Sequence, residues 1–232
     1  MAGSAFTHLT HLTHLTYLPF MTHLAGRLAT VLGRVTVIGH THTVSQSTER
    51  MPPLPAAQMT EAQRAAAAEI SAGRRGGVVG PFAAALRSPE CMRRLQHLGA
   101  YLRYDSAIDP RLREVVILLT ARRWKQDYEW CAHEPLARAA GVEPATIDAI
   151  AAGQVPPALT PGEALVFELC AVLFTDARVG DALYARAVDV LGEPGLMDVV
   201  CAVGYYSTLA LIMNVTRTAL PEGMEAPDWS GG

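Results

Sequence analysis

The chain has 232 residues, half of them apolar, with a formal net charge of -3 and an isoelectric point near 6.2. That length buries one substantial core, so one domain plus an appendage is expected rather than two full domains. The acidic balance excludes the basic footprint that nucleic acid or an anionic membrane would need. The four scattered cysteines, Cys91, Cys131, Cys170 and Cys201, form no CxxC pair, which excludes a zinc knuckle or dithiol motif and fits a reducing, cytoplasmic setting.

Residues 1–50 differ in kind from the rest. The repeat HLTHLTHLT, His8 to Thr16, drifts around a helix instead of stacking on one face, and His8, His11, His14, His23, His40 and His42 all precede residue 43. A histidine metal tract lacks supporting cysteines or carboxylates, and a presequence is a second reading. The expectation is a poorly structured extension, with Met51 as the functional start and the folded domain at 51–232.

From there the chain punctuates itself as helices. MTEAQRAAAAEI opens with a capping box, Thr60 with Gln63. The segment SAGRRGGVVGP, 71–81, reads as a flexible connection; it lacks the ending of a phosphate loop, and as a lid it would bring Arg74 and Arg75 to an anionic substrate. SPECMRRLQHLGAYLR starts on Ser88 as N-cap with Pro89 at the first helical position, a grammar repeated at Asp109-Pro110 and at Thr160-Pro161-Gly162-Glu163. Further helices are predicted at Asp127 to Ala140, Pro144 to Ala151, Asp181 to Leu191 and Gly195 to Thr218. With no alternating strands, the fold class is all-α. The apolar run Leu196 to Val215 is long enough to span a bilayer, but its Asp198, Tyr205, Tyr206 and Asn214 favour a buried core helix.

The stretch YEWCAHEPLARAAG holds the chemistry-bearing residues. On a helix Glu129 and His133 lie one turn apart on one face, and Cys131 points away from both. A thiol nucleophile needs a base within reach, so Cys131 reads as a small buried filler. A metal would need a third ligand, and the body offers His97 alone as a further histidine; no metal is expected. The pair serves equally as an acid/base couple or as an ordinary helix-supporting contact. Glu114, heading the helix PRLREVVILLTARRW, stands at the edge of an apolar layer, where burial would raise its pKa.

RLREVVILLTARRWKQDYEWCAHEPLARAAGVEPATIDAI resembles the core motif of the carboxymuconolactone decarboxylase family, within the alkylhydroperoxidase-D-like superfamily. The resemblance is specific over 110–150 and extends over 51–221. It implies an alkylhydroperoxidase-D-like helical bundle. In the peroxidase branch a helical glutamate precedes a CxxC pair and a histidine; here Glu114 and His133 take the outer places, while Gln126 and Glu129 replace both cysteines. Peroxide reduction by a disulfide is thereby excluded.

The arrangement Glu129-x-x-x-His133 is similar to the decarboxylase branch, which implies cofactor-free loss of a carboxylate from a small unsaturated lactone or acid. His133 is then the proton donor, with Glu129 and Glu114 orienting it or polarising the substrate. Arg122, Arg123 and Arg217 are candidate anchors for the substrate acid, and Tyr205 and Asn214 candidate pocket residues. Trp130, Pro135 and the segment GYYSTLALIMNVTR depart from the dedicated catabolic enzyme, so the reaction class carries over further than any one lactone. The resemblance also implies a homo-oligomer, trimer or hexamer, with a small molecule as the remaining partner. A tautomerase or isomerase would use the same proton transfer. A redox or stress protein and a non-catalytic small-molecule-binding oligomer are the other readings.

Overall fold

A computed structural model describes residues 49–229. The expectation for the extension, apart from Glu49 and Arg50, lies outside the described residues. Among the described residues all regular structure is helical. A 3-10 turn at Ala56–Gln58 precedes α1 (Glu61–Ala72), α2 (Pro81–Ala85), α3 (Pro89–Tyr104), α4 (Pro110–Trp124), α5 (Asp127–Ala139), α6 (Pro144–Ala151), α7 (Pro161–Thr175) and α8 (Asp181–Thr216). The all-α expectation is met.

Start signals explain most of these boundaries. Thr60 and Thr160 each close a reciprocal capping box, with Gln63 and Glu163, and the Asp109 carboxylate accepts from the Arg111 and Leu112 amides. Ser88 departs from expectation: its side chain caps nothing, and Pro89 alone marks the start of α3. The predicted connection 71–81 ends in the one-turn helix α2, whose Phe82 is buried. The two helices expected at the C-terminal end are continuous except at Gly192, where φ is 68° and the chain turns ahead of Pro194.

The core is built around α4. Val115, Val116, Ile117, Leu118 and Ala121 are fully buried there, against α5, α6, α7 and α8. Each of the larger side chains among them stabilises the fold by roughly 1.5–3 kcal/mol through burial. The apolar run in α8, expected as a buried core helix, packs against α4 in the same core. One face of α8 is buried through Val199, Ala202, Leu209, Ala210 and Met213, while Met197, Leu211 and Val215 on its outer face are 55%, 43% and 61% exposed. α8 is long and apolar enough to cross a membrane by length and composition, and half of its most apolar window is buried inside the fold. A smaller core of Ala66, Ile70, Phe82, Leu86 and Met92 holds α1 to α3 together. Arg50 binds the last carbonyls of α8, its amide on Thr216 and its guanidinium on Val215.

The α4–α5 connection positions the site. Lys125 takes a left-handed conformation (φ 47°), and the amides of Lys125 and Gln126 return to the carbonyls of Arg122 and Ala121, a Schellman ending. Only Lys125 and Gln126 separate the helices, so α5 folds straight back along α4 and faces it.

Candidate active site

Three acid/base side chains meet across that hairpin. Glu114 on α4 accepts a hydrogen bond from His133 Nδ1 on α5, Oε2 to Nδ1 2.8 Å. His133 Nε2 lies 3.6 Å from Glu129 Oε1, one turn back on α5. The three side chains are 3%, 6% and 5% exposed, so the group is shielded from bulk water. Tyr206 of α8 sets its ring edge-on to His133, centroids 5.2 Å apart, and Tyr205 packs edge-on to Tyr206. These contacts fix the imidazole plane.

The two carboxyls differ in charge state. Burial pushes Glu114 up, but the hydrogen bond and charge of His133, together with Arg113, outweigh it and hold Glu114 below the ordinary carboxylate value. Arg113 reaches Glu114 Oε1 at 3.4 Å. The ionised carboxylate can only accept, so the proton of this pair sits on His133 Nδ1 and Nε2 is turned toward Glu129. Burial pushes Glu129 up to about 8, against the charges of Arg75 and Arg103 and with that of Glu114. The raised acid is thus Glu129; the sequence expectation placed it at Glu114 and overlooked the partners that burial brings.

Satisfaction of the buried acids separates function from structure. Glu163, 1% exposed, accepts from Thr160 and from Arg111, and Asp198 accepts from Tyr101 and the Ala107 amide. Among the described residues the only buried carboxylate oxygen without a hydrogen-bond partner is Glu129 Oε2. An orphaned buried oxygen costs about 1–3 kcal/mol, a cost expected where a group waits for a ligand.

The cysteine between the acid and the histidine faces elsewhere. Cys131 donates to the Glu225 carbonyl at 3.3 Å, and burial with the charges of Asp127 and Glu134 pushes its thiol up. Such a thiol is a poor nucleophile. Among the described residues no three His, Cys, Asp or Glu side chains are set to hold a metal ion.

The remaining sequence candidates divide. Tyr205 is buried beside the cluster, its hydroxyl pushed up to about 12 by burial, and Arg75 Nη2 lies 3.3 Å from it. Asn214 instead donates to the Trp124 carbonyl and accepts from Gln126 Nε2. Gln126 in turn caps α5, its Oε1 accepting from the Glu129 amide. Asn214 therefore braces the turn that carries Glu129, and the cleft it lines with Gln126, Arg217 and Thr218 holds none of the three acid/base residues. Arg122 packs on Gly153 and Trp229, Arg123 is exposed, and Arg217 is the exposed left-handed C-cap of α8. None of these three arginines meets the cluster.

The cations whose charge reaches Glu129 are Arg75, from the 71–81 connection, and Arg103 of α3. Sequence reasoning placed Arg75 on a lid but not at the site, and missed Arg103, Arg113 and Tyr206. One signal was available for the Arg75 contact. Gly99 interrupts α3 within QHLGAYL, and a glycine inside a helix costs up to about 1 kcal/mol unless something must approach closely. An apolar groove of about 460 Å³, lined by Ala84, Cys91, Leu211 and Val215 among others, lies elsewhere and includes none of the three acid/base residues.

Comparison with known proteins agrees with this frame. Residues 89–171 match the model of the carboxymuconolactone decarboxylase family, a segment spanning α3 to most of α7 and containing Glu114, Glu129 and His133. The all-α architecture is consistent with the fold of this family and of the alkylhydroperoxidase-D-like proteins. No curated protein and no solved structure gives a significant match to the chain.

Proposed function

From a chain whose residues 89–171 carry the carboxymuconolactone decarboxylase family segment, we propose a cofactor-independent carbon–carbon lyase that acts on a small unsaturated lactone or carboxylic acid. The family match suggests decarboxylase or peroxidase-related chemistry. The observation that favours proton transfer is the unpartnered Glu129 Oε2 beside a histidine oriented by a second carboxylate.

In the proposed reaction the bond between the substrate carbon and its carboxylate breaks, carbon dioxide leaves, and the electron pair stays in the conjugated lactone as a dienolate. His133 gives a proton from Nε2 to carbon while Glu114 holds Nδ1. The Glu129 carboxyl then returns a proton to Nε2 and is itself replenished from water. Burial supplies the apolar surroundings in which a carboxylate is readily lost. A tautomerase or isomerase would use the same two proton steps without loss of carbon.

The partners on this reading are the small-molecule acid and further copies of the chain, as a trimer or hexamer in the cytoplasm. The test is incubation with β,γ-unsaturated lactone acids in deuterated water, followed by nuclear magnetic resonance. Carbon dioxide release with one deuterium placed on carbon is expected, and its loss in His133→Gln. Deuterium incorporation that survives His133→Gln would remove the assignment. Binding of the acids with no exchange at all would favour the non-catalytic oligomer.

A further inference from the structure

Arg75 is unusual among the arginines in what surrounds it. Its neighbour Arg74 points outward, paired with Asp105 at 3.1 Å and stacked on Tyr104. Arg75 turns inward: its guanidinium lies 4.5 Å from the centroid of Phe82, Nη2 meets the Tyr205 hydroxyl at 3.3 Å, and Nε is buried with no partner. Its charge bears on Glu129, whose Oε2 is also buried and unpartnered. One free donor and one free carboxyl oxygen thus share the same interior neighbourhood.

The backbone is arranged to admit this side chain. A Cβ added to Gly99 on α3 would stand 1.9 Å from the Tyr205 hydroxyl and 2.5 Å from Arg75 Nη2, so only glycine leaves room for both. The far end of the connection is also seated beside the site. Gly80 has a positive φ of 57°, and a Cβ there would be 2.6 Å from the ring of Tyr128, the residue preceding Glu129.

We propose that Arg75 is the anchor for a carboxylate that stays on the substrate, held by the guanidinium with the Tyr205 hydroxyl beside it, and that Gly99 keeps the space for both. An arginine fork binds a carboxylate through paired, charge-assisted hydrogen bonds and discriminates against neutral analogues. The anchor rests on the proton-transfer reading only for what happens next; carboxylate binding is measurable by itself. It also separates two duties, because a cation on the departing carboxylate would oppose its loss, whereas one on a retained carboxylate orients the molecule.

The experiment is titration calorimetry of the full chain with sorbate and with its neutral amide, sorbamide. Sorbate should bind and sorbamide should bind at least about tenfold more weakly, with Arg75→Gln reducing sorbate affinity by a similar factor. Gly99→Ala should do the same by displacing Tyr205 and Arg75, and the outward-facing Arg74→Gln should bind as the unaltered chain does. Equal affinity for acid and amide, no binding of sorbate, or unchanged affinity in Arg75→Gln would overturn the anchor. His133→Gln separates the two ideas: it should bind sorbate normally while losing deuterium exchange. Binding through Arg75 in a chain that exchanges no proton would sink the reaction and leave the anchor standing.

Discussion

Glu129 and Glu114 are the same residue type a few ångströms from the same imidazole, and their surroundings drive them apart. Glu114 has a full set of donors and stays ionised; Glu129 has none on Oε2 and keeps its proton to about pH 8. Activity is therefore expected to fall as pH rises through about 8, where Glu129 ionises, and a rate profile in pH checks it. In Glu129→Gln that alkaline fall should disappear, with the first turnover kept and later ones slowed, read by rapid-quench kinetics. His133→Gln should lower turnover by about 10²–10⁴, the usual range for a general acid. Cys131→Ser should leave turnover unchanged, because the thiol faces the Glu225 carbonyl.

At the scale of elements, the site is a product of one turn. The Schellman ending at Lys125 and the Gln126 cap fix how α5 returns along α4, and Asn214 reaches from α8 to hold both. Gln126→Ala should cost about 1 kcal/mol as a lost N-cap, measured by denaturant unfolding. It should also lower activity more than the matching cap loss in Thr160→Ala, since only Gln126 supports Glu129.

Much of this was legible in the chain. Capping boxes and proline starts gave most helix boundaries, and the i, i+4 spacing put Glu129 and His133 on one face. The pairing of Glu114 with His133 followed from the family resemblance rather than from periodicity, which carries no information across helices. The contacts of Asn214 and the arginines were not legible for the same reason: a polar residue in an apolar helix signals that it has a partner, not which one. Arg122 found Gly153 and Trp229, while Arg75, from a segment read as a flexible connection, entered the interior through the gap at Gly99.

At the scale of the whole molecule, the outer face of α8 is the feature a monomer leaves uncovered. Met197, Leu211 and Val215 recur along one side of the helix, and exposed apolar side chains aligned in this way suit an interaction surface. If the chain self-assembles through it, the double change Leu211→Glu, Val215→Glu should give a smaller species in light scattering with its helical circular dichroism retained. An unaltered mass would place the interface elsewhere.

Stability at this scale carries opposite signs from the two acids. The contribution of Glu129 is complete below its ordinary value of 4.5 and is lost as pH rises through about 8; that of Glu114 is present above 4.5 and lost as pH falls through its depressed value. The melting temperature should decline from pH 6 toward pH 9, and less steeply in Glu129→Gln.

The buried Glu129 carboxyl also ties unfolding to the buffer. At pH 7 the folded chain carries a proton on this group that the unfolded chain, with an ordinary glutamate, gives up. Each molecule that unfolds thus acidifies its surroundings by that proton, and the buffer takes it up with its own heat of ionisation. Calorimetric unfolding enthalpies in Tris and in phosphate should therefore differ by the difference between those buffer heats, and the gap should close in Glu129→Gln.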